Sequence, residues 1–220
     1  MLKVMPAPES FDWTLIVPVK TLIAAKTRLA RAAGPHRAEL AVAIACDTVE
    51  AALRCPGVAG VVVVTGDPVA AEALGAVGAR VTGDPEAGLN AALRHGALEA
   101  VRLAPGTPVG ALQADLPALR PAELARVLAA AAEYDRAFLP DAAEVGTTFY
   151  GVGPGVPFVP AFGGESRERH LRRGVKEICP PETASVRRDV DTPDDLRAAL
   201  ALGVGPRTLA VAGRLGVGTR

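Results

Sequence analysis

The residues best suited to chemistry are carboxylates, and the densest set lies in Arg187-Arg188-Asp189-Val190-Asp191-Thr192-Pro193-Asp194-Asp195-Leu196. Side chains alternate along an extended segment, so Asp189 and Asp191 share a face. Two carboxylates at the end of a strand, just ahead of a helix, make a hard-oxygen site for a magnesium ion carrying phosphates. Thr192 has the type of a helix N-cap and Pro193 that of a first helical residue. That assigns Asp194 and Asp195 to the positive helix end. The competing use of these carboxylates is capping, or pairing with Arg187 and Arg188. A second carboxylate stands upstream, in Leu112-Gln113-Ala114-Asp115-Leu116-Pro117, where Asp115 closes an apolar strand before a proline turn. It offers another Mg2+ ligand, with a turn or cap role as its alternative. Three aspartates, Asp115, Asp189 and Asp191, meeting from separate strand ends would repel one another without a cation.

Cationic and small residues complement these acids. Lys20, Lys26 and Arg28 follow the first strand directly, and point charges with a bidentate fork suit triphosphate oxygens. A solvated basic loop is the plainer use. Gly83-Asp84-Pro85-Glu86-Ala87-Gly88-Leu89-Asn90 opens a helix, where Gly83 and Gly88 permit close backbone approach. Asn90 there can offer a donor and an acceptor to a base or ribose. In Phe162-Gly163-Gly164-Glu165-Ser166-Arg167-Glu168-Arg169-His170, Ser166 has the type of an N-cap. The paired glycines expose backbone N–H groups, a ready anion site that Arg167 or Arg169 reinforces. Thr147 and Thr148 add hydroxyl donors from an adjoining strand. No Gly-x-x-x-x-Gly-Lys-Ser/Thr occurs, which disfavours a Walker-type site, and no Gly-x-Gly-x-x-Gly follows the first strand.

These residues need a scaffold, and the hydrophobic pattern supplies one. Trp13 to Val19 and Val58 to Thr65 read as buried strands, with Gly66-Asp67-Pro68 ending the second. His36 to Arg54 carries a helical stripe, and further strand and helix signals alternate as far as Leu139. That alternation predicts a mainly parallel sheet with helices on both faces, and ligands beyond the carboxyl ends of its strands. After Pro140 the pattern changes. Thr147 to Val152 reads as extended, Ser166 to Arg173 as a short helix, Asp189 to Asp191 as a strand and Pro193 to Leu202 as a helix. This region is expected to be a small β-rich insertion within one domain spanning 1–220. The last ~15 residues are Gly-rich and weakly patterned, so loose packing or fraying is expected.

Composition narrows the function. Among 220 residues, Lys plus Arg equals Asp plus Glu at 24 each, so nothing argues for nucleic acid as a partner. No apolar run reaches the ~18–20 residues that span a bilayer. The N-terminal stretch lacks an apolar signal core, so a cytoplasmic protein is expected. Three cysteines without Cys-x-x-Cys spacing support neither a disulfide framework nor a zinc knuckle. Cys46 and Cys55 are expected to be buried free thiols. His36 and His95 read as ordinary helix residues, and His170 is left open.

With these motifs in order, the chain resembles the guanylyltransferases of deazaflavin coenzyme F(420) biosynthesis. The similarity runs from Val17-Pro18-Val19-Lys20 through Gly88-Leu89-Asn90 to Asp189-Val190-Asp191. Members couple GTP to phosphoenolpyruvate or 2-phospho-L-lactate and release diphosphate. The chain is similar, more broadly, to nucleotidyltransferases that make activated sugars and molybdenum cofactors. The Gly-Gly-rich first loop of that superfamily is replaced here by the Lys20–Arg28 stretch. The resemblance implies a three-layer α/β/α, Rossmann-like nucleotidyltransferase fold. It further implies that Lys20, Lys26 and Arg28 hold the GTP triphosphate and that Asp115, Asp189 and Asp191 carry Mg2+. Thr148, Gly163 and Ser166 would bind the phosphorylated three-carbon acid, with Thr147 and Gly164 beside them. Phosphoenolpyruvate is the expected acceptor, with 2-phospho-L-lactate, or another sugar- or cofactor-type acceptor, as the alternative. A noncatalytic nucleotide sensor is the contrasting reading, and a homodimer is among the expectations.

Overall fold

The computed structural model describes residues 12–20 and 36–217. Strand β1 (Trp13–Pro18) is apolar on both faces and pairs in parallel with β2 (Val58–Val64) and β4 (Val109–Leu112). Beyond β2 lies β3 (Arg80–Thr82). On the other side of β4 run β6 (Thr147–Val152), β5 (Arg136–Pro140) and the two-residue edge strand β7 (Lys176–Glu177), giving the order β3-β2-β1-β4-β6-β5-β7. Strand β6 is antiparallel to both its neighbours, while every other pairing is parallel. The stretch expected as a β-rich insertion thus supplies an inner strand of the main sheet. Its inner position explains why Phe149 and Tyr150, on opposite faces, are both fully buried.

Helices cover both faces. Helix α1 (Arg37–Leu53), α2 (Pro68–Ala76) and α4 (Pro121–Ala131) pack on the face bearing Leu15, Val17, Val61, Val63 and Phe149. Helix α3 (Leu89–Leu103) covers the face of Ile16, Val62, Val64 and Tyr150. Contact there is close: a Cβ on Gly96 would come within 2.5 Å of Ile16 and 2.8 Å of Val64. Local caps agree with the sequence. Asp67 accepts from the N–H groups of Val69 and Ala70 at the start of α2, with Pro68 in the first turn.

The remaining helices are α5 (Ser166–Arg172), the single turn α6 (Ala184–Arg187), α7 (Pro193–Leu202) and α8 (Pro206–Arg214). Thr192 and Asp195 form a capping box on α7, and Asp194 is ion-paired with Arg197, so both acids serve the helix. Two expectations are corrected. Residues 189–191 do not form a strand, because the segment makes one bond to the end of β4, from Val190 N–H to the Asp115 carbonyl (3.0 Å), rather than a ladder. The chain after Gly205 does not fray through Arg214. Helix α8 forms there because Asp47, buried on α1, accepts from the N–H groups of Arg207 (3.3 Å) and Thr208 (2.7 Å). Val211 and Ala212 then join Leu40, Ile44, Val190 and Leu196 in a third apolar cluster outside α1.

Asp47 therefore caps a helix that is distant in sequence. Asp47→Ala is expected to cost about 1–2 kcal/mol. At about 2–4 °C per kcal/mol for a chain of this length, thermal unfolding should detect a clear drop in Tm. An unchanged Tm would remove the cap from the account of this helix.

Candidate active site

The strand order reverses direction around β1 and β4: the chain steps from β1 out to β2 and β3, then returns to β4 on the opposite side. Open α/β sheets place ligands beyond the carboxyl ends of strands at such a point. A pocket of about 680 Å3 lies there, large enough for a nucleotide-sized ligand. Pro18, Val19 and Lys20 from the end of β1 line it, with Gln113, Ala114 and Asp115 after β4 and Asp141 after β5. Because β6 runs the other way, its first residues, Gly146 and Thr147, reach the same rim. Gly163, Gly164, Glu165, Ser166, Asp189 and Asp191 complete the polar lining.

Each carboxylate is placed by a specific contact. Thr48 on α1 accepts from Leu116 N–H (3.1 Å), fixing the turn that carries Asp115. The Asp115 carbonyl takes Val190 N–H, while the Val190 side chain is fully buried, which leaves Asp189 and Asp191 to the pocket. Arg187 does not neutralise them, being spent on the carbonyls of Pro140 (3.1 Å) and Asp141 (2.9 Å) and on Glu144. Burial pushes the Asp189 carboxyl up to about 7, with the charges of Asp115, Asp141 and Asp191 adding to the rise.

Asp141 is a member that the sequence reading missed. Its carboxylate accepts from Val145 N–H (3.0 Å) and Gly146 N–H (2.8 Å), closing the turn into β6. The signal was available, since Asp141 follows a strand directly, as Asp115 nearly does. Asp115, Asp189 and Asp191 line the same pocket. Among the described residues, no group of three or more His, Cys, Asp or Glu side chains is gathered closely enough to hold a metal ion. Mg2+ binds through one or two carboxylates, keeping waters and substrate phosphates as its other ligands, so a protein cage is not required. The donor set fits such an ion: hard carboxylate oxygens, crowded enough to hold a proton on Asp189 near neutrality.

On the other side of the pocket, the glycine loop has a backbone that only small residues adopt easily, with φ of 98° at Gly163 and 47° at Gly164. Arg169 stands behind it, its guanidinium within 4 Å of where either Cβ would lie, and donates from Nε to the Ala161 carbonyl (3.2 Å). Arg167, the other expected cation, is instead engaged bidentately by Glu177 (2.8 and 3.0 Å). Ser166 is not the N-cap: that position is Glu165, and Ser166 Oγ lies 3.0 Å from Thr147 Oγ1. Thr148, next along the strand, is fully buried and does not line the pocket.

Asn90 grips the glycine loop: its carboxamide donates to the Phe162 carbonyl (3.0 Å) and accepts from Phe162 N–H (2.9 Å). Gly83 and Gly88 are exposed and stand outside the pocket lining, although Leu89 belongs to it. Lys20 lines the pocket, whereas Lys26 and Arg28 lie outside the described residues. Cys46 and Cys55 are buried free thiols.

A family profile described as "Guanylyl transferase CofC like" matches residues 13–208. The chain belongs to this guanylyltransferase family. A relative from Streptosporangium roseum named phosphoenolpyruvate guanylyltransferase is 80% identical over 215 residues, covering 98% of this chain and 97% of its own. Among solved structures, the guanylyltransferase fold is similar to a putative nucleotide-diphospho-sugar transferase from Desulfovibrio desulfuricans G20. That match has a TM-score of 0.67 at 18% identity, over 93% of this chain and 96% of the other. A protein from Mycobacterium tuberculosis H37Rv, solved in complex with manganese, matches at a TM-score of 0.50 and 18% identity, over 87% and 98% of the two chains. These structural likenesses establish the nucleotidyltransferase-like α/β fold. No helix among the described residues is long and apolar enough to cross a membrane.

The crowding around Asp189 has a pH signature. Its carboxyl titrates near 3.8 ordinarily and about 7 here, so between those values the folded chain holds a proton that the unfolded chain lacks. Stability from this group is therefore lost as pH rises, and the penalty is complete above about pH 7 and absent below about pH 4. Asp189→Asn should raise the Tm of metal-free protein at pH 8, with the advantage closing as pH falls toward 4. A Tm difference that stays constant across this range would exclude a raised Asp189 carboxyl, whether from burial or from its acidic neighbours.

Proposed function

We propose that the protein transfers GMP from GTP to the phosphate of phosphoenolpyruvate, releasing diphosphate. The observation that carries this reading is that Lys20, Asp115, Asp189 and Asp191 share one pocket with Thr147, Gly163, Gly164 and Ser166. A donor nucleotide needs the first group, a small phosphorylated acid the second, and transfer needs them side by side. Membership of the guanylyltransferase family and the identity with the Streptosporangium relative support GTP and phosphoenolpyruvate as the pair.

The reaction needs no protein nucleophile. An oxygen of the acceptor phosphate attacks the α-phosphorus of GTP, a new P–O bond forms, and the bond to the β-phosphate oxygen breaks. The leaving diphosphate carries the electron pair away. Lys20, just beyond β1 and lining the pocket, would offset triphosphate charge. Asp115 and Asp189 would hold a divalent cation, assigned here as Mg2+, with Asp191 beside them. Such an ion, when bound, neutralises charge on the triphosphate and the leaving diphosphate. The Gly163–Gly164 backbone, with Arg169 behind it, and the hydroxyls of Thr147 and Ser166 would receive the anionic acceptor. Catalysis on this reading is positioning and charge neutralisation.

Incubation with GTP, Mg2+ and phosphoenolpyruvate should release diphosphate at a higher kcat/KM than with CTP, UTP or 2-phospho-L-lactate. Failure to turn over either acid would reject the assignment. Asp115→Asn should lower kcat by about two orders of magnitude or more, while far-UV circular dichroism stays unchanged. Undiminished turnover would remove Asp115 from the mechanism.

A further inference from the structure

His170 is fully buried on α5, yet both its ring nitrogens are engaged. Ala161 N–H lies 3.0 Å from Nε2, and Thr147 Oγ1 lies 3.1 Å from Nδ1. A backbone N–H can only donate, so Nε2 must accept. The ring is neutral, because burial, reinforced by the charges of Arg173 and Arg169, pushes its pKa down to about 4. Its single proton is therefore on Nδ1, donated to Thr147 Oγ1. Aromatic walls hold this orientation: Tyr150 stacks at 5.0 Å and 14°, Phe138 lies at 5.1 Å, and Phe162 meets the ring edge-on at 5.7 Å.

The consequence passes to the hydroxyls. Thr147 Oγ1 accepts from His170 and lies 3.0 Å from Ser166 Oγ, and both residues line the pocket. If Ser166 donates to Thr147, both lone pairs of Thr147 are filled and its own O–H must find an acceptor elsewhere. If Thr147 donates to Ser166, the Ser166 O–H is the one left over. Either way the pair keeps one donor beyond this network, and both hydroxyl-bearing residues line the pocket.

We propose that His170 is a positioning residue for the acceptor, acting through Thr147 to turn one hydroxyl proton of the Thr147–Ser166 pair toward an anionic oxygen of the bound acid. This rests on the guanylyltransferase reading above. It assigns the discrimination between anion and cation at this wall to the tautomer of a side chain that never touches substrate.

The test is a double-variant cycle on the full chain, with His170→Phe, which keeps an aromatic ring between Phe138 and Tyr150, and Thr147→Val. Phosphoenolpyruvate affinity is read both as KM at saturating GTP and by titration calorimetry. Each single variant should weaken it about 10–100-fold, as for a lost hydrogen bond to a charged group. The KM for GTP should stay within about twofold, and Thr147→Ser should restore the acceptor KM. The double variant should be no worse than Thr147→Val alone within about twofold, because the two act as one unit. If His170→Phe does not fold, His170→Gln replaces it in the same cycle, keeping an acceptor near the Nε2 position without the Nδ1 donor. Additive penalties, equal rises in both KM values, or an unmoved acceptor affinity in Thr147→Val would each overturn the proposal. Wild-type protein that neither binds nor turns over phosphoenolpyruvate would instead overturn the functional reading.

Discussion

A single backbone hydrogen bond, from Val190 N–H to the Asp115 carbonyl, ties together the two segments that carry Asp115, Asp189 and Asp191. It brings two segments far apart in sequence to one strand end. Burial of the Val190 side chain among Leu40, Leu196 and Ala212 then sets which way its neighbours face. With the apolar residue committed inward, the acids on either side are left to the pocket. The cluster around Val190 is in turn completed by α8, whose start is held by Asp47 on α1. Helix packing on the outside of the molecule thus reaches the site through one valine.

The pocket concentrates negative charge before any ligand arrives. Asp115, Asp141, Glu165, Asp189 and Asp191 all line it, while Lys20 is the cationic residue among the described lining. A triphosphate would not enter such a place without a counter-ion, so binding of metal and of nucleotide are expected to be linked. The opposite arrangement holds at the glycine loop, where Arg169 stands behind backbone N–H groups and hydroxyls. Glu165 nevertheless lies within that loop, so acidic lining reaches both halves of the pocket. Asn90 joins the two halves mechanically, because it sits on the first turn of α3 beside pocket-lining Leu89 yet grips the backbone of Phe162.

Where local chemistry determined structure, the sequence was readable. The stripe through Leu40 and Ile44, the Val-rich β2, the Asp67 cap and the Thr192 capping box each follow from residues within a few positions of one another. Asp115, Asp189 and Asp191 could be singled out by type and by the elements they adjoin, and they do reach one pocket. Features made by distant partners could not be read. Nothing near Pro206 announces that Asp47 will cap it, and nothing near His170 announces a box built from Phe138, Tyr150 and Phe162. The strand expected at 189–191 fails for the complementary reason: its alternation was real, but one bond to the tip of β4 does not extend a sheet. The clamp that Asn90 makes on Phe162, 72 positions away, belongs to the same class of distant contact.

The reversed strand has a further implication. At this rim the other strands contribute their last residues, while β6 contributes its first, reached through the turn that Asp141 closes. That turn is not free to vary: its own carboxylate holds the Val145 and Gly146 N–H groups, Arg187 binds the carbonyls of Pro140 and Asp141, and a Cβ on Gly146 would collide with the Asp141 carboxylate, so this stretch of the rim tolerates little exchange.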